Sequence, residues 1–445
     1  MNASTSDTTL APAPTVGHYR IDPVRTTSAV LHPASIRPRC DLGHRQAARI
    51  RCQRYQALSA TVHAVLDAAR FHTGYQRTPD GWKFAERLRG QIPRHHAAGG
   101  LSAWVYSRIR TGFSDQDTRT KEDAMKIFVA GATGALGSRL VTLLASRGHT
   151  VVGTTRTPSK ADSLHTAGAT PVVLDALDRD AVIEAVTSAE PDVVVHQLTA
   201  LTRFTDFRKF DEGFAATNRL RTEGTDHLLE GIRRLPVRRI VAQSYAGAGF
   251  FARTGGLIKT EDDPFDPNPP AALRRPAEAI KYLERAVLEA EGIHGTVLRY
   301  GGFYGPGTSL GKGGVFLEAV RRRLFPIVAD GAGVWSFIHI DDAATATLAA
   351  IESGRTGVYN IVDDDPAPVA EWLPALAAAI GAKPPRRVPA WLARLLVGEQ
   401  GVVMMNESRG ASNAKAKREL GWQPAYPSWR SGFHVRLGTA ATRAA

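Results

Sequence analysis

The stretch that decides the fold is residues 126–148, which read KIFVA, then GATGALG, then SRLVTLLASRG. The first five residues predict a short buried strand, and the last eleven follow the apolar spacing of an amphipathic helix. Three glycines between them (Gly131, Gly134, Gly137) permit a tight turn, a close approach of backbone to phosphate, and close packing of helix on strand. The free N–H groups at the start of such a helix favour an anion. The stretch therefore predicts a pyrophosphate-binding turn of a dinucleotide site.

More strand patterns follow this unit, and helical stretches separate most of them. The predicted strands lie at 150–156, 170–175, 192–198, 239–245, 296–304, 336–342 and 358–362. Strands that alternate with helices form parallel sheets, because each crossover helix must pack back onto a face of the sheet. The pattern therefore predicts an α/β fold with a doubly wound parallel sheet of the Rossmann type.

Composition excludes several other classes of protein. The 445 residues are 43% hydrophobic and 22% charged, which excludes collagen-like, coiled-coil and wholly disordered chains. Charged residues interrupt every apolar run before it could span a membrane, and the first ten residues lack a secretory signal. Two cysteines exclude a disulfide scaffold and fit a reducing cytosol, so we expect a cytoplasmic protein without a metal site.

The basic excess is concentrated before residue 125. The net charge is +13, and residues 1–124 contain 18 lysines and arginines against 10 acidic residues. No basic stripe is interleaved with aromatic residues, so we expect neither nucleic acid nor membrane as a partner. Weak hydrophobic periodicity predicts that residues 1–124 are an N-terminal extension or linker of uncertain fold, poorly ordered or fragmentary.

The G-x-x-G-x-x-G spacing is the form found in short-chain dehydrogenases/reductases. Residues 126–435 resemble the extended, epimerase/dehydratase-like branch of that family, and KAKRELGWQP at 415–424 is similar to a closing motif of the branch. The resemblance implies an NAD(P)-binding Rossmann domain at 125–300. It also implies a smaller C-terminal substrate sub-domain, mainly at 301–445, from which 336–362 returns to the sheet.

The end of the second predicted strand bears on the choice of nicotinamide cofactor. An acidic residue there would bind the ribose hydroxyls of NAD, but the sequence has Arg156, followed by Ser159 and Lys160. Arg156 could pair with a 2′-phosphate, so NADP is preferred and NAD remains possible; alternatively, Arg156 stacks on adenine or faces solvent. The cofactor-binding residues that the motif and the resemblance imply are Gly131, Thr133, Gly134, Leu136, Gly137, Arg156, Asp175 and Lys281.

The resemblance also implies a catalytic set of a Ser or Thr, a Tyr, and a Lys four residues after the Tyr on one helix. Ser244 ends the fifth predicted strand, where the family's Ser or Thr lies, and Lys281 is the candidate lysine. Four residues before Lys281 stands Ala277, which has no proton to exchange. The acid/base is therefore assigned first to Tyr304, with Tyr245 and His339 as alternatives.

Two further positions depart from the family pattern. Glu284 follows Lys281 by three residues, one short of the usual spacing. In the family, the residue three positions before a Gly-Thr pair is usually an Asn; in this sequence that residue is Arg221. We therefore expect a modified active site.

The substrate side is less specific. Gly305–Gly314 is glycine-rich and could hold a phosphate or act as a mobile lid, and Arg321–Arg323 is either a diphosphate contact or a solvated helix face. The expected function is an oxidoreductase or epimerase acting on a small molecule, such as a nucleotide-sugar-like substrate. The alternative is a non-catalytic NADP(H)-binding sensor or scaffold. A homodimer is left open.

Overall fold

The computed structural model of the protein describes residues 124–201, 210–236, 238–247 and 249–436. The predicted N-terminal extension lies outside the described residues except for its last residue, and so do both cysteines. None of the helices in the described ranges is both long and apolar enough to cross a membrane.

Fifteen strands occur in the described ranges. They are β1 Lys126–Ala130, β2 Thr150–Thr155, β3 Ala169–Val173, β4 Val193–His196, β5 Arg239–Tyr245, β6 Ile258–Lys259, β7 His294–Tyr300, β8 Gly302–Tyr304, β9 Ile327–Val328, β10 Val334–Trp335, β11 Phe337–His339, β12 Gly357–Ile361, β13 Ala367–Pro368, β14 Arg387–Val388 and β15 Gly410–Ala411. Seven of them form one parallel sheet in the order β12-β7-β5-β4-β1-β2-β3. The order reverses between β1 and β4, which places a ligand crevice at the carboxyl ends of these two strands.

Twelve α-helices occur in the same part of the chain. They are α1 Ala135–Ser146, α2 Ala161–Thr166, α3 Arg179–Ala189, α4 Phe210–Arg221, α5 Glu223–Arg233, α6 Ala271–Leu288, α7 Val315–Arg321, α8 Ile340–Ser353, α9 Val369–Ala379, α10 Ala390–Asn406, α11 Ala414–Leu420 and α12 Trp429–Arg436. Apolar residues of α1 and α8 pack on one face of the sheet, and those of α3, α5 and α6 pack on the other. The predicted doubly wound α/β fold is confirmed.

The central strands β1 and β4 are mostly apolar and buried, because helices cover both faces of the sheet. In β1 the residues from Ile127 to Ala130 are all buried, and in β4 all four residues are buried. The fifth predicted strand, 239–245, has the bounds of β5.

Several predicted strands differ in extent from the observed ones, and two of the differences have a clear structural cause. The predicted strand 296–304 is divided at Gly301, where a Cβ would lie 2.8 Å from the backbone oxygen of Ser336. The part after the break, β8, leaves the large sheet and pairs with β11. The predicted strand 336–342 ends at His339, whose ring nitrogen caps α8 by accepting a hydrogen bond from the Asp341 N–H.

A second apolar core lies in the C-terminal part of the chain. It is built around large buried aromatic side chains from β8, β11, α9 and α12: Tyr304, Phe337, Trp372, Trp429 and Phe433. Four two-stranded sheets (β6–β15, β8–β11, β9–β14 and β10–β13) accompany it. β12, which follows β11 and α8, returns to the edge of the large sheet beside β7.

Candidate functional site

The glycine turn between β1 and α1 has the geometry that a dinucleotide cradle needs. Gly131 has a φ of 89°, and a Cβ there would lie 2.6 Å from the backbone oxygen of Gln197. A Cβ on Gly137 would lie 2.3 Å from the Gly131 oxygen. Gly134 is the exposed N-cap of α1, and no side chain caps this helix. The first N–H groups of α1 are therefore open to a phosphate.

Three other residues of the predicted cofactor set lie in this turn or after β3. The Thr133 hydroxyl lies 3.3 Å from the Thr155 hydroxyl at the end of β2. The Leu136 side chain is buried in the core against the sheet, so only its backbone N–H can face a ligand. Asp175 is exposed and accepts a hydrogen bond from the Leu177 N–H at 3.0 Å, which stabilises the turn after β3.

The edge beyond β2 carries cationic side chains. Arg156 is exposed, as are Ser159 and Lys160, and no described acidic side chain pairs with Arg156. A carboxylate at this edge would repel a 2′-phosphate, whereas a free guanidinium can bind one through charge-assisted hydrogen bonds. The residues present fit an NAD(P) dinucleotide, with its pyrophosphate at the glycine turn.

Helix α6 is the element that should carry the tyrosine and the lysine. Its buried residues include Pro276, Ala277, Ile280 and Glu284, and its half-buried Lys281 points its ammonium toward the Phe265 ring, 5.9 Å from the ring centroid. Pro276, Ile280 and Glu284 are spaced by four residues, so they share one helix face. The buried face of α6 therefore bears neither a tyrosine nor a lysine.

Glu284 and Arg299 form a buried ion pair, and Ser244 hydrogen-bonds to it. The Ser244 hydroxyl donates to Glu284 Oε1 at 2.5 Å, and the Arg299 guanidinium donates to the two carboxylate oxygens at 2.8 and 2.6 Å. All three residues are at most 6% exposed. The arrangement joins β5, α6 and β7, and it occupies the Ser244 hydroxyl.

Tyr304 lies in the C-terminal core. Its ring contacts those of His339 and Phe433 edge to face, and its buried hydroxyl has no hydrogen-bond partner among the described residues. Burial raises its pKa far above the usual range. No contact in the described ranges joins Ser244, Lys281 and Tyr304, and their catalytic roles remain predictions.

Arg221 and Tyr245 are the last residues of α4 and β5, and Arg221 stands where the family usually has an Asn. Arg221, the last residue of α4, is 4% exposed; burial lowers its pKa to about 10. Tyr245, the last residue of β5, lies over Gly247, where a Cβ would approach its hydroxyl to 2.4 Å. Burial raises the pKa of Tyr245 to about 12, and the charge of Arg221 opposes this rise.

His196, at the end of β4, is neutral at physiological pH. Its Nε2 lies 3.0 Å from the Thr225 hydroxyl, and its Nδ1 accepts from the Leu198 N–H. Burial and the nearby Arg221 charge lower its pKa to about 4. His196 therefore adds no charge to this region above about pH 5.

Aromatic side chains surround the end of β5. Phe210 and Phe214 of α4 stack with ring centroids 4.4 Å apart, and Phe250 packs edge to face on Tyr245 at 5.7 Å. Ala277 and Ile280 of α6 belong to the same apolar cluster, and Phe316, Trp335 and Met404 complete it. The surroundings of the end of β5 are therefore apolar and largely aromatic.

Comparison with known proteins agrees with the fold and the glycine turn. The family profile described as "NAD dependent epimerase/dehydratase family" matches residues 127–362. A 3-diazoavenalumate denitrifying reductase from a Streptomyces species is 47% identical over 315 residues, which are 69% of this chain and 99% of that protein.

Solved structures show the same fold at lower identity. The UDP-glucose 4-epimerase of Thermotoga maritima with UDP-glucose has a TM-score of 0.56 and 23% identity, covering 70% of this chain and 96% of that one. Human epimerase family protein SDR39U1 with NADPH has a TM-score of 0.55 and 23% identity, covering 69% and 97%.

Proposed function

This chain belongs to the NAD-dependent epimerase/dehydratase family, and from that premise we propose that it is an NADPH-dependent reductase that works without the tyrosine–lysine proton relay. The observation that carries the proposal is the buried face of α6, where Pro276, Ala277 and Ile280 stand in place of the tyrosine and lysine. The ionisable residue on that face, Glu284, is held in an ion pair with Arg299. Arg156 at the edge beyond β2 supports NADP over NAD.

The missing relay restricts the chemistry. Reduction of a carbonyl or epimerisation of a sugar moves both a hydride and a proton, so each needs an acid/base at the reacting oxygen. Reductive removal of a diazo group from an aromatic ring needs no proton. A bound nicotinamide would supply hydride to the ring carbon; the carbon–nitrogen bond breaks, and its electron pair leaves with N₂. Arenediazonium and NADPH thus give arene, N₂ and NADP⁺.

The relative from Streptomyces, named as a denitrifying reductase of a diazo compound, supports this reaction class. The surroundings of the end of β5 are consistent with an aromatic substrate, since Phe210, Phe214 and Phe250 make this region apolar. In this proposal Ser244 positions Glu284, and the cofactor phosphates lie at the N-terminus of α1.

The test uses the full-length protein, 4-hydroxybenzenediazonium and NADPH that carries deuterium at nicotinamide C4. We expect N₂ release and phenol with deuterium at the former diazo carbon, in a 1:1 ratio to NADP⁺. Gly131→Ala is the control for uncatalysed reduction, because its Cβ would meet the Gln197 backbone and close the cradle. Product formation no faster than with this variant, or turnover of UDP-glucose instead, would contradict the proposal. Tight NADPH binding without turnover of any substrate would favour the sensor alternative.

A further inference from the structure

Arg221 is a buried cation without a partner in the described part of the chain. Its side chain makes no hydrogen bond or ion pair with any described residue, and its Nη1 is fully buried. The acidic side chain whose charge acts on it is Glu284, and both oxygens of that carboxylate already accept hydrogen bonds from Ser244 and Arg299. A buried guanidinium in this state lowers the stability of the fold unless another group accepts its hydrogen bonds or neutralises its charge.

The Tyr245 hydroxyl also has no hydrogen-bond partner among the described residues. Its ring is held by Phe250 and by the close contact with Gly247. Substitution of Gly247 by any residue with a Cβ would displace the phenol. Arg221 lies two turns after Phe214 on the same face of α4, and Phe214 shares an apolar cluster with Tyr245. The chain thus brings a phenol hydroxyl and a cation to one apolar cluster.

Ionisable groups on the neighbouring elements do not neutralise Arg221. His196 on β4 is neutral, Arg299 on β7 is itself a cation, and Tyr282 on α6 is turned outward, where its hydroxyl bonds to Asp226. An arginine that is desolvated and lacks an anion is suited to bind a planar oxyanion, because its N–H groups form a rigid fork.

We propose that Arg221 and Tyr245 form a recognition site for an anionic oxygen, a phenolate or a carboxylate, on an aromatic substrate. This inference rests on the proposed function and names its substrate class. The guanidinium and the phenol hydroxyl both donate to the oxygen, and the apolar cluster holds the ring. Arg221 acts here in binding and specificity, and the inference requires no proton transfer from Tyr245.

The experiment measures binding without turnover, by calorimetric titration of the full-length protein saturated with NADP⁺. Three probes separate the sources of charge: cinnamate carries a carboxylate, 4-nitrophenolate carries a phenolate, and methyl cinnamate is neutral. We expect at least one anion to bind tenfold or more tightly than methyl cinnamate. In Arg221→Met this preference disappears, and in Tyr245→Phe it falls about threefold to tenfold.

Thermal unfolding without ligand gives a second readout that a structural arginine would not produce. Arg221→Met removes an unpaired buried charge, so we expect its Tm to equal or exceed that of the unmutated protein. Arg219→Met is the matched control, since Arg219 lies on the same helix but is exposed and paired with Glu223. The Arg219→Met variant should bind the anionic probes more tightly than methyl cinnamate to the same extent as the unmutated protein does. If Arg221→Met does not fold, Arg221→Lys keeps the charge without the fork and should weaken anion binding.

Equal binding of neutral and anionic probes, or an anion preference that survives in Arg221→Met, would overturn the inference. These outcomes are separate from the fate of the proposed reaction. Arginine-dependent anion binding with no reduction of diazonium would leave the recognition site standing and remove the proposed function. Reduction of the diazonium that does not depend on Arg221 would support the proposed function and count against the recognition site.

Discussion

The glycine-turn end of the crevice (residues 131–137 and Arg156) and the β5–α6 end (Arg221, Tyr245 and residues 276–284) have diverged to different extents. At the first end, Gly131 and Gly137 stand where backbone oxygens approach too closely for a Cβ. At the second, the buried face of α6 carries neither the tyrosine nor the lysine, and a buried cation comes from α4 instead.

The difference shows that dinucleotide binding and proton transfer are separable parts of this fold. The glycine turn depends on backbone geometry, which tolerates almost no change in residue type. The β5–α6 end depends on side chains, and side chains can be replaced while the helix and strand keep their packing. We therefore expect mutations at the two ends to affect different quantities.

The largest expected effect is at the β5–α6 end. Glu284→Gln leaves the buried Arg299 without its anion, so the free energy of unfolding should fall by about 3–5 kcal/mol in urea titrations. The control is Glu223→Gln, which breaks an exposed pair with Arg219 and should cost less than about 1 kcal/mol. Equal losses in the two variants would show that the Glu284–Arg299 pair is not a structural element.

Ser244→Ala tests whether the hydroxyl acts in chemistry or in structure. It removes one donor to a buried carboxylate, so stability should fall by about 1.5–3 kcal/mol. At a temperature where the variant is folded, the rate of diazonium turnover should change less than about threefold. A slowing of turnover by roughly two to four orders of magnitude, at unchanged stability, would instead assign Ser244 the family's catalytic role.

The smallest expected change in free energy is at the glycine-turn end. Arg156→Ala should weaken NADPH binding by about 1–3 kcal/mol and leave NADH binding unchanged, because the lost contact is with the 2′-phosphate. Fluorescence titration with both cofactors measures the difference, and stability should not move because Arg156 is exposed. Equal affinities for the two cofactors in the unmutated protein would contradict this prediction.

Much of the fold could be predicted from sequence because its signals are local. The strand, glycine turn and helix of 126–148 lie within one short segment, and the predicted strand 239–245 has the bounds of β5. The division of 296–304 could not be predicted, because Gly301 is constrained by Ser336, which is distant in the chain.

The candidate site was predicted less completely for the same reason. Three different elements contribute Ser244, Glu284 and Arg299. Sequence spacing does not predict an ion pair between residues that are so far apart in the chain. If Lys281 is aligned with the family's lysine, Ala277 falls at the position of the family's tyrosine. If Glu284 is aligned with the family's glutamate, Pro276 falls at that position. The sequence does contain one usable signal, the Arg221 that replaces a usual Asn, but its burial and lack of a partner among the described residues are visible only in three dimensions.

The position of β12 has a consequence for synthesis on the ribosome. β7 pairs with β12 along residues 357–361, so its outer edge stays open while residues 301–361 are being made. At ordinary elongation rates this takes roughly 3–12 s, long enough for unpaired strand edges on neighbouring nascent chains to meet. A chain that stops before residue 357 keeps that edge exposed permanently, and it should aggregate even though the glycine turn and six of the seven strands of the large sheet are present.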